Sequence, residues 1–85
     1  MIKEQDLIDL GFKRNDVTAK ESGQPRDWYY YDYDFKGGLS LISCDNEEAK
    51  DECWYVDIFE CEDIRFENKE DLKQLIDLIN KAMIN

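Results

Sequence analysis

Three aspartates, Asp32, Asp34 and Asp57, stand in two stretches that interleave acids with aromatic rings, "DWYYYDYDF" and "CWYVDIFEC". Paired carboxylates can pass protons when burial or a neighbouring charge drives their pKa values apart. Both stretches read as strands, and nothing beside them signals a cleft that would do so. The chain has no histidine, which removes the commonest general base and metal ligand. Its serines, Ser22, Ser40 and Ser43, sit in no nucleophile-elbow setting, and no glycine-rich loop opens a helix to hold a phosphate. Asp45, Glu47, Asp51 and Glu52 offer oxygens to calcium, but their loop lacks the central glycine and final glutamate of an EF-hand. Cys44, Cys53 and Cys61, nine and eight residues apart, match neither a C-x-x-C motif nor a disulfide framework. The expectation is a non-enzymatic protein without catalytic residues, metal or cofactor.

The elements that carry these residues fit within one domain spanning 1–85. A chain of this size buries only about 60% of the surface it exposes when unfolded. Hydrophobic residues make up 42% of it and fall in periodic blocks, as a folded chain requires. No apolar run is long enough to cross a bilayer, and "MIKEQDLIDLGF" alternates charge with apolar residues, unlike a signal peptide, so the expected location is cytoplasmic. The net charge of −10 is concentrated in one segment. Residues 1–26 and 68–85 each balance their acids and bases, whereas 27–67 carry thirteen acids against Lys36, Lys50 and Arg65. That segment would repel nucleic acid and anionic membranes and attract a basic protein surface.

Periodicity predicts an α+β fold: a short N-terminal helix, an antiparallel meander of four to five strands and a C-terminal amphipathic helix packed on one sheet face. "KEQDLIDLGF" reads as a helix stopped at Gly11, with Phe12 folding back on Leu7. "KRNDVTAKESGQPR" reads as loop with an edge strand at Val17 to Glu21. From Trp28 the period is two, and "KGG" at 36–38 supplies a three-residue hairpin loop into "LSLISC". A second hairpin turns through Asp45 to Glu52 into "CWYVDIFEC", and a third turns near Cys61 to Asp63 into "IRF". The register sets Phe35 opposite Leu39, Leu41 opposite Val56, Ser43 beside Trp54 and Cys44 facing Cys53, where oxidation would allow a disulfide. Asn68 caps the last helix, whose stripe of Leu72, Leu75, Ile76, Ile79, Ala82 and Met83 covers the sheet.

Alternation then divides the aromatics. Tyr29, Tyr31, Tyr33 and Phe35 join Leu39, Leu41, Trp54, Val56, Ile58, Ile64 and Phe66 under the C-terminal helix, with the phenol hydroxyls reaching the rim or a partner. Trp28, Tyr30, Ile42, Tyr55 and Phe59 collect on the opposite face with Asp32, Asp34, Ser40, Asp57, Cys44 and Cys53. Four aromatics on a face that would otherwise be solvated call for a covering. Three coverings compete: the N-terminal helix laid across Tyr30 and Phe59, a homodimer through the sheet, and a heterologous basic partner. Acids two apart on a strand, such as Asp32 and Asp34 or Glu60 and Glu62, stand about 6.6 Å apart, comparable to the phosphate repeat of a nucleic-acid strand. The residues expected to bind a partner are Trp28, Tyr30, Asp32, Asp34, Tyr55, Asp57 and Phe59.

In build, "LGFKR", "YYYDYDF", "WYVDIFE" and "FENKEDLKQLIDLI" resemble the small acidic accessory proteins of phages and mobile elements, some of which inhibit host defence nucleases. The resemblance covers most of the chain and carries over no functional residue. It implies an inhibitor that mimics nucleic acid on a basic surface, with a nuclease as the partner class; the alternative is a homodimeric structural protein using the sheet face as its own interface.

Overall fold

In the computed structural model, which describes residues 1–49 and 53–84, a five-stranded antiparallel meander in the order β1-β2-β3-β4-β5 carries its N-terminal and C-terminal helices on one side. The elements are α1 (Glu4–Asp9), β1 (Lys13–Val17), α2 (Ala19–Ser22), β2 (Trp28–Asp34), β3 (Ser40–Ser43), β4 (Val56–Ile58), β5 (Cys61–Phe66) and α3 (Lys69–Ala82). No helix among the described residues is long and apolar enough to cross a membrane. The radius of gyration is 13.4 Å with a longest extent of 43 Å, against about 12 Å for a compact domain of this length, as suits a two-layer slab.

Local chemistry accounts for the helix ends. Gly11 adopts φ +97°, its N–H donates to the Ile8 carbonyl at 3.1 Å, and the Phe12 N–H donates to the Leu7 carbonyl at 3.0 Å. This is the expected Schellman closure, and it drops the buried rings and chains of Leu7 and Phe12 into one core. Asn68 Oδ1 accepts from the backbone N–H groups of Glu70 and Asp71 at 2.8 and 3.3 Å, starting α3 where expected. Leu72 and Ile76 of its stripe are buried, and Leu75, Ile79 and Met83 pack around them.

Three expectations about the connections change. The strand predicted at Val17 to Glu21 is instead β1 at Lys13–Val17 followed by the helical turn α2. Thr18 and Glu21 exchange bonds, Glu21 N–H to Thr18 Oγ1 and Thr18 N–H to Glu21 Oε1, both at 3.2 Å, a capping box that ends the strand. The pairing of β3 with β4 lies two residues from the expected one: Leu41 faces Ile58 and Ser43 faces Val56. A slip of two keeps every side chain on its face, so hydrophobic patterning cannot detect it. Trp54 instead bridges to Ile2, donating its N–H to the Ile2 carbonyl at 3.0 Å. The last hairpin turns at Phe59 and Glu60, earlier than expected, with Glu60 at φ +67° and Ile58 paired to Cys61. Glu60 therefore lies in the turn before β5, not on a strand as expected.

Side chains replace part of the ladder beyond the β2–β3 pairs. Ser43 Oγ accepts from the Tyr31 N–H at 2.8 Å and Asn46 Oδ1 from the Tyr29 N–H at 2.8 Å, while the Asn46 N–H returns a bond to the Tyr29 carbonyl at 2.9 Å. These bonds keep the aromatic strand satisfied while β3 departs toward the acidic turn.

Substituting Leu72→Ala should cost about 3 kcal/mol, because its side chain is fully buried in the core, whereas Leu78→Ala, at a position 64% exposed, should change stability by about 0.5 kcal/mol or less. Urea unfolding midpoints of the two variants against the parent check this contrast.

Candidate partner-docking face

Both helices claim the same side of the sheet. Glu4 on α1 receives the hydroxyls of Tyr31 at 2.6 Å and Tyr29 at 3.4 Å, Asp6 pairs with Lys69 of α3 at 3.3 Å, and Phe12 lies 5.4 Å from the Tyr33 ring. The phenol hydroxyls thus find partners in the helices, including Tyr33, which accepts from Asn80 at 3.1 Å. Burial and then the Glu4 carboxylate push Tyr31 up to about 12, and the Lys3 backbone N–H holds Asp6 below its ordinary value. The N-terminal helix therefore does not lie over Tyr30 and Phe59, which removes one of the three expected coverings.

Among the described residues, two depressions open on the opposite face. One, of about 510 Å³, is lined by Ile42, Ser43, Cys44, Glu48, Tyr55, Asp57 and Arg65. Within it Arg65 lies 3.9 Å over the Tyr55 ring and donates to Asp57 at 3.0 and 3.5 Å, while the Tyr55 hydroxyl donates to Glu48 at 2.9 Å. Burial and the Glu48 bond raise Tyr55 to about 12, and Asp57 raises Arg65 above its ordinary value. This half of the face is internally satisfied. The expected anchors Tyr55 and Asp57 are already engaged by Arg65, a residue that sequence reasoning left out although its neighbours Ile64 and Phe66, assigned to the core, oblige it to point here.

The other depression, of about 240 Å³, is lined by Tyr30, Asp32, Asp34, Ser40, Ile42 and Phe59. Tyr30, Asp32 and Asp34 alternate along β2; Ile42 and Ser40 stand opposite the two acids on β3, and the Phe59 N–H donates to the Ser40 carbonyl at 2.9 Å. Phe59, at the hairpin apex, is 53% exposed. Asp32 accepts from the Asn15 amide at 2.7 Å and Asp34 from the Ser40 hydroxyl at 2.7 Å. Both donors are neutral, and no ion pair among the described residues reaches either carboxylate, so their charge stands uncompensated. The structure thus brings together four of the seven expected site residues. Trp28 lines neither depression: its ring lies 5.7 Å from Tyr30, and its Nε1 is enclosed without an acceptor among the described residues.

Cys44 does not face Cys53. Its partner across the strands is Tyr55, whose N–H contacts Cys44 Sγ at 3.5 Å, because the register differs by two. Cys44 is buried and Cys53 exposed. Of the acids considered for calcium, Asp51 and Glu52 lie outside the described residues; Glu47 pairs with Arg26 at 3.4 Å, and Asp45 caps the turn by accepting from the Glu48 N–H at 2.7 Å. Comparison of the chain with protein-family models, curated proteins and solved structures gives no match. The class defined here is therefore an architectural one, a two-layer α+β slab with one bare sheet face.

Burial raises the Cys44 thiol from 9.0 to about 11, so at about pH 8 its thiolate fraction should be about a hundredfold below that of an unshifted thiol. Alkylation of the native protein followed by peptide mapping should label Cys53 well before Cys44; equal labelling would contradict the enclosure of that side chain.

Proposed function

We propose that the protein is a non-enzymatic binding module that docks its bare sheet face onto a basic surface of a nucleic-acid-handling protein, a nuclease among the candidates, and so excludes nucleic acid from it. The observation that carries this reading is the Tyr30–Phe59 groove: aromatic and aliphatic surface flanked by two carboxylates that no ion pair among the described residues reaches. Aromatic anchors supply the bulk of binding energy at protein interfaces, and uncompensated acids around them select a positive partner. The surplus of acids in 27–67 extends that negative field over the rest of the sheet and repels nucleic acid itself. Asp32 and Asp34, about 6.6 Å apart on one strand face, present the phosphate-like spacing that such a surface would accept. The resemblance in build to phage and mobile-element proteins points to the same class of target, and the reading places the protein in the cytoplasm, where such targets act.

The test is retention of a nuclease or other nucleic-acid-binding protein on the immobilised protein. Retention should fall steeply as salt rises from about 50 to about 500 mM, and duplex DNA should compete. Tyr30→Ala and Phe59→Ala should each weaken binding about tenfold or more. Salt-independent retention, or full binding by both variants, would reject the proposal. A concentration-dependent dimer in sedimentation, abolished by Phe59→Ala, would replace it with the homodimer alternative.

A further inference from the structure

The sheet face holds the same short pattern twice. Tyr55-Val56-Asp57, leading into β4, and Tyr30-Tyr31-Asp32 on β2 each place a tyrosine and an aspartate two residues apart on the bare face. In the first copy Arg65 from the neighbouring strand completes the unit: it stands opposite Asp57, lies over the Tyr55 ring at 3.9 Å and donates to the carboxylate at 3.0 Å. In the second copy the residues opposite Asp32 are Ile42 on one side and Lys13 on the other. Lys13 pairs with neither acid of the groove, and Asp32 takes the Asn15 amide instead. The second copy is therefore a tyrosine and a carboxylate with no guanidinium, open to solvent and extended by Asp34 and by the exposed Phe59 ring.

We propose that this groove takes an arginine side chain of the docking partner, reproducing between molecules the Tyr–Arg–Asp unit that Arg65 forms within the chain. The inference rests on the docking reading and narrows it: the partner's anchor is arginine rather than lysine. The chemistry discriminates because a guanidinium is planar, stacks on an aromatic ring and donates along two parallel directions to carboxylates, whereas an ammonium is a compact, strongly hydrated point charge. Tyr30 and Phe59 offer ring surface, Asp32 and Asp34 the acceptors, and Ile42 an apolar floor for the arginine stem.

The experiment uses the whole protein with hexa-arginine and hexa-lysine peptides at about 150 mM salt, where nonspecific attraction is screened beyond about 8 Å. Followed by NMR, the arginine peptide should shift the resonances of Tyr30, Ile42 and Phe59 and bind about fivefold tighter than the lysine peptide. Asp34→Asn with Tyr30→Ala should remove that preference. Arg65→Ala should create a second arginine-responsive site, read at Tyr55 and Asp57, that the parent lacks. Equal affinity for the two peptides, absence of any groove shift, or no new site in Arg65→Ala would overturn the arginine assignment. Salt-sensitive, DNA-competed retention of a protein partner would survive those outcomes if only the arginine preference is wrong, and would fail with them if the docking face itself is misplaced.

Discussion

The Glu4 carboxylate is the point on which the arrangement turns. By receiving the hydroxyls of Tyr31 and Tyr29 it commits the N-terminal helix to the side of the sheet that α3 also occupies. A buried phenol needs an acceptor, and Tyr29 and Tyr31 would each lose theirs if α1 lay elsewhere. The Schellman closure at Gly11 and the Ile2–Trp54 bridge hold the two ends of α1 to that same core. With α1 and α3 on one face, the groove on the other is lined by strand and hairpin residues.

The bare face is divided by its own electrostatics. On the β4–β5 side Arg65 and Glu48 close around Tyr55 and Asp57, so that rings and charges there are matched within the molecule. On the β2–β3 side Asp32 and Asp34 meet only an amide and a hydroxyl, beside the Phe59 ring at the hairpin apex. Surface ion pairs such as Arg65–Asp57 contribute little to stability, so the difference between the halves bears little on folding. The unmatched half is aromatic and anionic, and it is the half that the proposed docking uses.

Much of this was legible residue by residue. Alternation from Trp28 to Phe35 separated core from bare face, and helical spacing from Leu72 to Met83 defined the covering helix. The T-x-x-E of Thr18 and Glu21 was a readable capping signal that a strand reading of Val17 to Glu21 overlooked. β1 was hidden, because "KRNDV" has no apolar alternation and becomes a strand only by pairing with β2. The register of β3 with β4 and the engagement of Tyr55 were hidden too, since a slip of two residues leaves the face of every side chain unchanged.

Sequence alone determined which side chains share a face, where α1 stops and α3 starts, and how much negative charge the sheet must carry, because these follow from short-range periodicity, capping chemistry and composition. Tertiary structure decided which face α1 takes, which acids find a cation and where the groove opens. Those outcomes depend on contacts such as Glu4 with Tyr31 and Asp57 with Arg65, made between residues that only the finished sheet brings within hydrogen-bond reach.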